Sequence, residues 1–306
     1  MKQPFHLILT ASVALLSTLG QGWADDAVEI KQHWTPGKTY SYTETLEQQM
    51  DIPAAGGQTV AQKANNTMDL SISVREDAGK KRLTLRRDRV IMNMDVGGKK
   101  KSFDSATDKS GAGGPATAML GKEIKVDLDE KDAFSDVENF DEIAAAVKAV
   151  TPPGRFNFTK ESIGETVKQE MLQAIPDHPV KPGDQWPMEQ PLTFSGAGKA
   201  TMKGNYVLKS VATHDGARCA EIAIDAKLTF EAPAAASANP QMTRKFEDTT
   251  INGTIWFDLD LGVIRESELP QNITLVVGNP ADPTKTQRIP IKQVIGLKLS
   301  KVEDLK

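Results

Sequence analysis

Ala220-Glu221-Ile222-Ala223-Ile224-Asp225-Ala226-Lys227-Leu228-Thr229-Phe230 is the stretch that decides the fold. Ala220, Ile222, Ile224, Ala226, Leu228 and Phe230 share one parity, with Glu221, Asp225 and Lys227 between them. Successive side chains of a strand point to opposite faces, so the stripe predicts a strand with one greasy and one wet face. Sheets with one wet face are antiparallel.

The same alternation recurs along the chain. Tyr40, Tyr42, Leu46, Met50 and Ile52 share a parity, as do Met68, Leu70, Ile72 and Val74. Later runs are Ile251, Ile255, Phe257 and Leu259; Ile273, Leu275 and Val277; and Ile289, Ile291, Ile295, Leu297 and Leu299. One segment changes phase: Leu83 and Leu85 are odd, while Val90, Met92 and Met94 are even. A one-residue shift swaps faces, so Arg86-Arg87-Asp88 is expected to hold a β-bulge that bends the strand. Gly79, Gly97-Gly98, Asp215-Gly216 and Asp260-Leu261-Gly262 fall where turns are needed. Stretches 53–63, 105–115 and 232–240 read as long loops.

The middle of the chain has a different period. Phe140, Ile143, Val147 and Val150 recur at helical spacing, with Ser135-x-x-Glu138 or Asn139-x-x-Glu142 as the starting cap. A second amphipathic helix is expected over about Ile163 to Ala174, capped by Ser162-x-x-Glu165, with Ile163, Val167, Met171 and Ile175 on one face. Pro36-Gly37-Lys38-Thr39-Tyr40 parallels Pro182-Gly183-Asp184-Gln185-Trp186, and Val74 to Arg87 parallels Val211 to Ile224. The expected fold is therefore mainly β within the α+β class. It is a large curved antiparallel sheet or half-barrel, built from two similar β-meanders with two amphipathic helices mid-chain. Residues 25–306 form one β-rich domain, with pseudo-repeats 33–130 and 178–306 joined by a helical segment, 135–176.

The N-terminus bears on compartment. Lys2 precedes an apolar run from Leu7 to Leu19, and Gly22-Trp23-Ala24 places small residues at −3 and −1. Residues 1–24 are expected to be a signal peptide cleaved near Ala24, giving a periplasmic or secreted protein. The run is too short for a permanent span, which needs roughly 20 apolar residues. Net charge is −4 and the pI is near 5.7, which argues against nucleic acid as a partner. Cys219 is the single cysteine, so no internal disulfide can form, and a strand position predicts an inert thiol.

Motifs for chemistry are scarce. Beyond the leader, His33, His178 and His214 stand far apart, and no Gly-x-Ser-x-Gly elbow occurs. Asp258-Leu259-Asp260-Leu261-Gly262 has the look of a calcium loop, but Leu269 stands where the twelfth-position glutamate belongs, so it reads as a hairpin turn. Glu266 and Glu268 share a strand face and read as solvated carboxylates. Lys80-Lys81-Arg82, Arg86-Arg87 and Lys99-Lys100-Lys101 read as a solvated rim, with anionic headgroups or an acidic partner as the alternative. No metal or cofactor is expected.

Pro179-Val180-Lys181-Pro182-Gly183-Asp184-Gln185-Trp186, together with Gly253-Thr254-Ile255-Trp256-Phe257-Asp258 and Gly262-Val263-Ile264, resembles an uncharacterised family of secreted bacterial proteins of unknown function. The likeness follows most of the chain after residue 24 in its order of elements, and its motifs are structural, implying no activity. At fold level, long curved strands with helices between them resemble the periplasmic lipoprotein carriers, which hold acyl chains in an open half-barrel. A curved sheet leaves apolar residues that helices must cover or a ligand must fill, so the expected function is a non-enzymatic binder of an apolar ligand such as a lipid or acyl chain. Met92, Met94, Phe140, Ile143, Val147, Val167, Met171, Ile222 and Ile224 are the residues expected to line its site. A structural or protein-interaction module of the cell envelope is the alternative, with an envelope hydrolase third.

Overall fold

The chain was described from a computed structural model over residues 26–53, 58–77, 79–108, 117, 119–129, 132, 134–150, 175–194, 198–230, 244–247, 249–279 and 282–305. Among these, the alternating segments become thirteen strands. The first six are β1 (Lys38–Pro53), β2 (Thr59–Asp77), β3 (Lys80–Val96), β4 (Lys99–Asp104), β5 (Glu123–Leu128) and β6 (Phe134–Val137). After helix α1 (Phe140–Val150) come β7 (Gln185–Phe194), β8 (Gly198–His214), β9 (Ala217–Phe230) and β10 (Arg244–Phe246). The chain ends in β11 (Thr249–Asp258), β12 (Val263–Asn279) and β13 (Asp282–Asp304).

All thirteen join one antiparallel sheet in the order β6-β5-β3-β2-β1-β13-β12-β11-β9-β8-β7, with β4 on β3 and β10 on β12. The first and last strands are therefore neighbours in the middle: Tyr42 lies opposite Leu299, and Leu46 opposite Ile295. The outermost strands, β6 and β7, are consecutive in the chain and share no ladder among the described residues, so the sheet is open rather than a closed barrel. The segment holding α1 connects one edge to the other.

The phase change in β3 is a bulge. Asp69 lies opposite Arg89 and Leu70 opposite Arg87, which leaves Asp88 as the extra residue. Leu83, Leu85 and Val90 are thereby all buried on one face. Similar shifts leave Ser300 extra in β13, Lys209 in β8 and Arg265 in β12.

That face carries the core in two halves. Tyr40, Val74, Leu83, Val126, Val137 and Ile143 pack in the first; Leu208, Ile222, Ile255 and Phe257 pack in the second. A strap of extended chain, residues 26–37, joins them. Val28 and Ile30 belong to the second half, and Trp34 belongs to the first. Val28 and Val180 exchange backbone hydrogen bonds of 2.7 and 2.9 Å, and His33 N donates to Gly262 O at 2.9 Å. Gly262 has φ +70°, and a Cβ there would lie 2.7 Å from His33 Cβ and 2.8 Å from His33 N, so the strap's approach requires glycine.

Two helices were expected, and among the described residues one is found. Ser135 belongs to β6, which removes the earlier of the two caps. Asn139 precedes α1, yet its side chain accepts from Lys125 N and donates to Glu123 O, tying the helix start to β5 instead of capping it. The second expected helix, about 163–174, lies outside the described residues, as does the leader. The Pro36-Gly37 and Pro182-Gly183 turns make equivalent ties: Gly37 N donates to Val74 O, and Gly183 N to Leu208 O.

Candidate functional site

An apolar cavity lies on the core-bearing face where the two halves meet, with a volume of about 140 Å³. Tyr42 and Glu44 of β1, Leu70 and Ile72 of β2, and Leu85 of β3 wall one side. Leu297 and Ile295 of β13, Ser267 and Leu269 of β12, and Phe257 of β11 wall the other, and Gln32 and Trp34 of the strap close it. Leu85 and Phe257 come from strands five places apart, a separation of roughly 24 Å across a flat sheet at about 4.8 Å per strand. Both border one small cavity, so the sheet bows inward. The alternating stripes thus put apolar side chains around a hollow. Its volume is smaller than the ~300–1,000 Å³ of a whole-ligand pocket. It is comparable to the ~150 Å³ apolar hole that admits benzene.

A few polar groups interrupt the wall. Trp34 is 3% exposed and packs edge-on against Tyr40 with ring centroids 5.1 Å apart. Its indole N–H is buried without a partner. Burial pushes the Tyr42 hydroxyl far above its ordinary range, so it stays neutral. Burial also raises the Glu44 carboxyl, against the opposing pull of Arg87. Met68 of β2 and Leu297 of β13 lie opposite Glu44 in the ladders, so its nearest neighbours are apolar.

Of the nine residues expected to line a site, the six whose side chains are described do not border this cavity. Met92 and Met94 pair with Asn66 and Ala64 on the same face as Leu85, but beyond the Asp88 bulge, and Met94 is 43% exposed. Phe140 and Ile143 pack α1 onto the first half of the core, whereas Ile222 and Ile224 are buried in the second. The Val147 side chain, Val167 and Met171 lie outside what is described. Strap residues Gln32 and Trp34 carry no periodicity, and Glu44 looks like any strand carboxylate, so no pattern marks them in advance.

Other candidate groups have plain partners. His214 stacks on Trp256 with centroids 4.2 Å apart, and its Nε2 lies 2.9 Å from Glu266 Oε2. Ligand atoms of His214, Asp215 and Glu266 fall within 4.8 Å of one another, close enough for a cation. Lys298 Nζ already sits among them, 2.8 Å from Asp215 and 3.3 Å from Glu266. The hydrogen bond from His214 lowers the Glu266 pKa, and that from Lys298 lowers Asp215. Asp258, 1% exposed, accepts from the backbone N–H groups of Asp260 and Leu261 and from the Arg265 guanidinium. Protein donors therefore satisfy this turn, as the hairpin reading expected. Cys219 is buried, and desolvation pushes its thiol up to about 11.

Fold and site together define a class: an open, single-sheet antiparallel protein that bows around a small apolar cavity beneath an N-terminal strap. The chain belongs to a family of unknown function, DUF6263, whose model matches residues 78–264, more than half of its length. The matched stretch contains both motifs that carried the resemblance. The fold is similar to that in a structure described for lipid–protein interactions in lipovitellin, with TM-score 0.50 and 13% identity over 90% of this chain and 26% of that chain. This chain thus spans about a quarter of that lipovitellin chain. A DUF1329 family protein from Desulfovibrio piger ATCC 29098 aligns over 88% of this chain and 86% of its own at 10% identity; its TM-score of 0.13 carries no argument. No curated protein matches the chain in sequence.

Proposed function

We propose that this protein is a non-enzymatic binder of an apolar ligand, held inside a half-barrel formed by the bowed sheet. The observation that carries the reading is the cavity wall, contributed by both halves of the sheet and the strap and dominated by Leu, Ile, Phe and Trp. Its volume suits part of an acyl chain or one ring, with the remainder of a ligand reaching outward. Likeness to a protein described for its lipid–protein interactions supports the choice of ligand class. Native mass spectrometry of freshly purified protein tests it. A releasable apolar mass is the expected result, and bare protein that also fails to take up added lipid counts against the reading.

Export is part of the same proposal. Residues 1–24 act as a cleaved leader that delivers the chain to the periplasm or exterior, and N-terminal sequencing of exported protein is expected to begin at Asp25. An envelope interaction module is the second reading. It draws on the second half of the core, where Leu208, Ala220, Ile222 and Ile255 are fully buried. Its signature is a stable protein complex with no apolar mass bound.

A further inference from the structure

We propose that the cavity selects an uncharged apolar ligand, one with an ester or hydroxyl head, over a free carboxylate. The inference rests on the apolar-ligand reading and adds the chemistry of the head group. Among the described residues of the wall there is no Lys or Arg, and the one group that can carry a full charge near neutral pH is the Glu44 carboxyl. A carboxylate brought into this wall would lose its water and find no cation there to replace it. It would also face a second carboxyl. Arg87 of β3 is the cation whose field reaches Glu44. It sits opposite Leu70 on the same face but does not border the cavity. The other neighbours of Glu44 in the ladders, Met68 and Leu297, add no charge.

The wall is equipped for a neutral head instead. Trp34 borders the cavity, and its indole N–H is a buried donor without an acceptor, a costly state that a ligand oxygen would relieve on reaching it. Ser267 of β12 borders the same cavity and carries a hydroxyl. An ester carbonyl supplies the acceptor without bringing a charge, and so does an alcohol oxygen. Glu44 is the specificity-determining residue, and Trp34 is the positioning donor.

The test compares octanoate with methyl octanoate, and both with octane, by equilibrium binding to the full chain at pH 8. The ester is expected to bind at least tenfold tighter than the acid, and the gap to shrink as pH falls to 5 and the acid protonates. Glu44→Gln is expected to narrow the gap at least threefold. Trp34→Phe, which keeps a ring, is expected to weaken the ester and leave octane unchanged. Unfolding midpoints of both variants establish that they fold, and the wild-type pH series stands without them. An acid that binds as tightly as the ester overturns the selectivity while the apolar-ligand reading survives. A gap that Glu44→Gln leaves untouched removes Glu44 from the selecting role. Failure of both ester and octane to bind sinks the underlying reading as well.

Discussion

Gly262 shows how one residue can hold two parts of the fold together. Its backbone is left-handed, and its missing Cβ makes room for Lys31 and His33 of the strap. Gly79 has a similar φ, +79°, but nothing lies within 4 Å of its Cβ position. Gly262→Ala is therefore expected to cost about 1–3 kcal/mol more than Gly79→Ala, since only the former adds backbone overlap to the strain of positive φ. Urea unfolding of both variants measures the difference, and equal losses would contradict the account. Asp258→Ala leaves the Arg265 guanidinium, 18% exposed, without its carboxylate. Removing one partner of a buried pair typically costs about 3–5 kcal/mol, and a loss below about 1 kcal/mol would mean that water replaces the pair.

Glu44 makes a pH-dependent prediction at the same scale. Its folded pKa is raised above the ordinary 4.5, with burial the main cause. The folded state therefore favours the protonated carboxyl. This contribution to stability is complete below the unfolded pKa and is lost as pH rises through the folded one. Glu44→Gln, which stays neutral, is expected to gain in melting temperature relative to wild type between pH 4 and pH 7. A constant difference across that range would show that Glu44 is effectively solvated. Glu266 and Asp215 have the opposite sign: lowered by His214 and Lys298 respectively, they stabilise above their unfolded pKa values and lose that effect in acid. Asp215 is exposed and Glu266 half-buried, and ion pairs near the surface contribute little.

At the scale of elements, the open sheet must protect its edges. The outer strand β7 contains Pro187 and Pro191, four residues apart and opposite Asn205 and Thr201 of β8. Proline is tolerated on an edge because its missing N–H can face outward, and there it denies a donor to any incoming strand. Pro187→Thr/Pro191→Thr is expected to promote edge-to-edge association, visible as higher-mass species in light scattering; a monodisperse variant with unchanged mass would contradict that role. Elements were also what the sequence revealed best. The Ala220–Phe230 stripe sits in β9 with its even side chains toward the core, and the jump from Leu85 to Val90 marked the Asp88 bulge. The bulges at Ser300 and Lys209 escaped notice because one apolar residue follows each at the new phase, Val302 and Val211, too short a run to establish it. Ser135 stood as one of two candidate caps because a cap-like spacing says nothing about the β5 strand that captures residues 134–137.

For the whole molecule, two facts that shape the cavity were not local. Pairing of β1 with β13 joins residues some 250 positions apart, as in Thr45 with Gly296, and alternation cannot select a partner. The strap lies across the bowed face through backbone ties that need no periodic pattern. The sequence pointed to an apolar hollow, and the fold places an apolar cavity of about 140 Å³ near the β1–β13 seam, away from Met92, Met94 and the described part of α1. Ser267, a small residue in that wall, provides a direct test. Calorimetric titration of methyl octanoate into wild type and Ser267→Phe compares an open cavity with one occupied by a phenyl ring. The account predicts saturable binding with a negative heat-capacity change in wild type and at least tenfold weaker binding in the variant. Equal binding by the two proteins, or none by wild type, would contradict it.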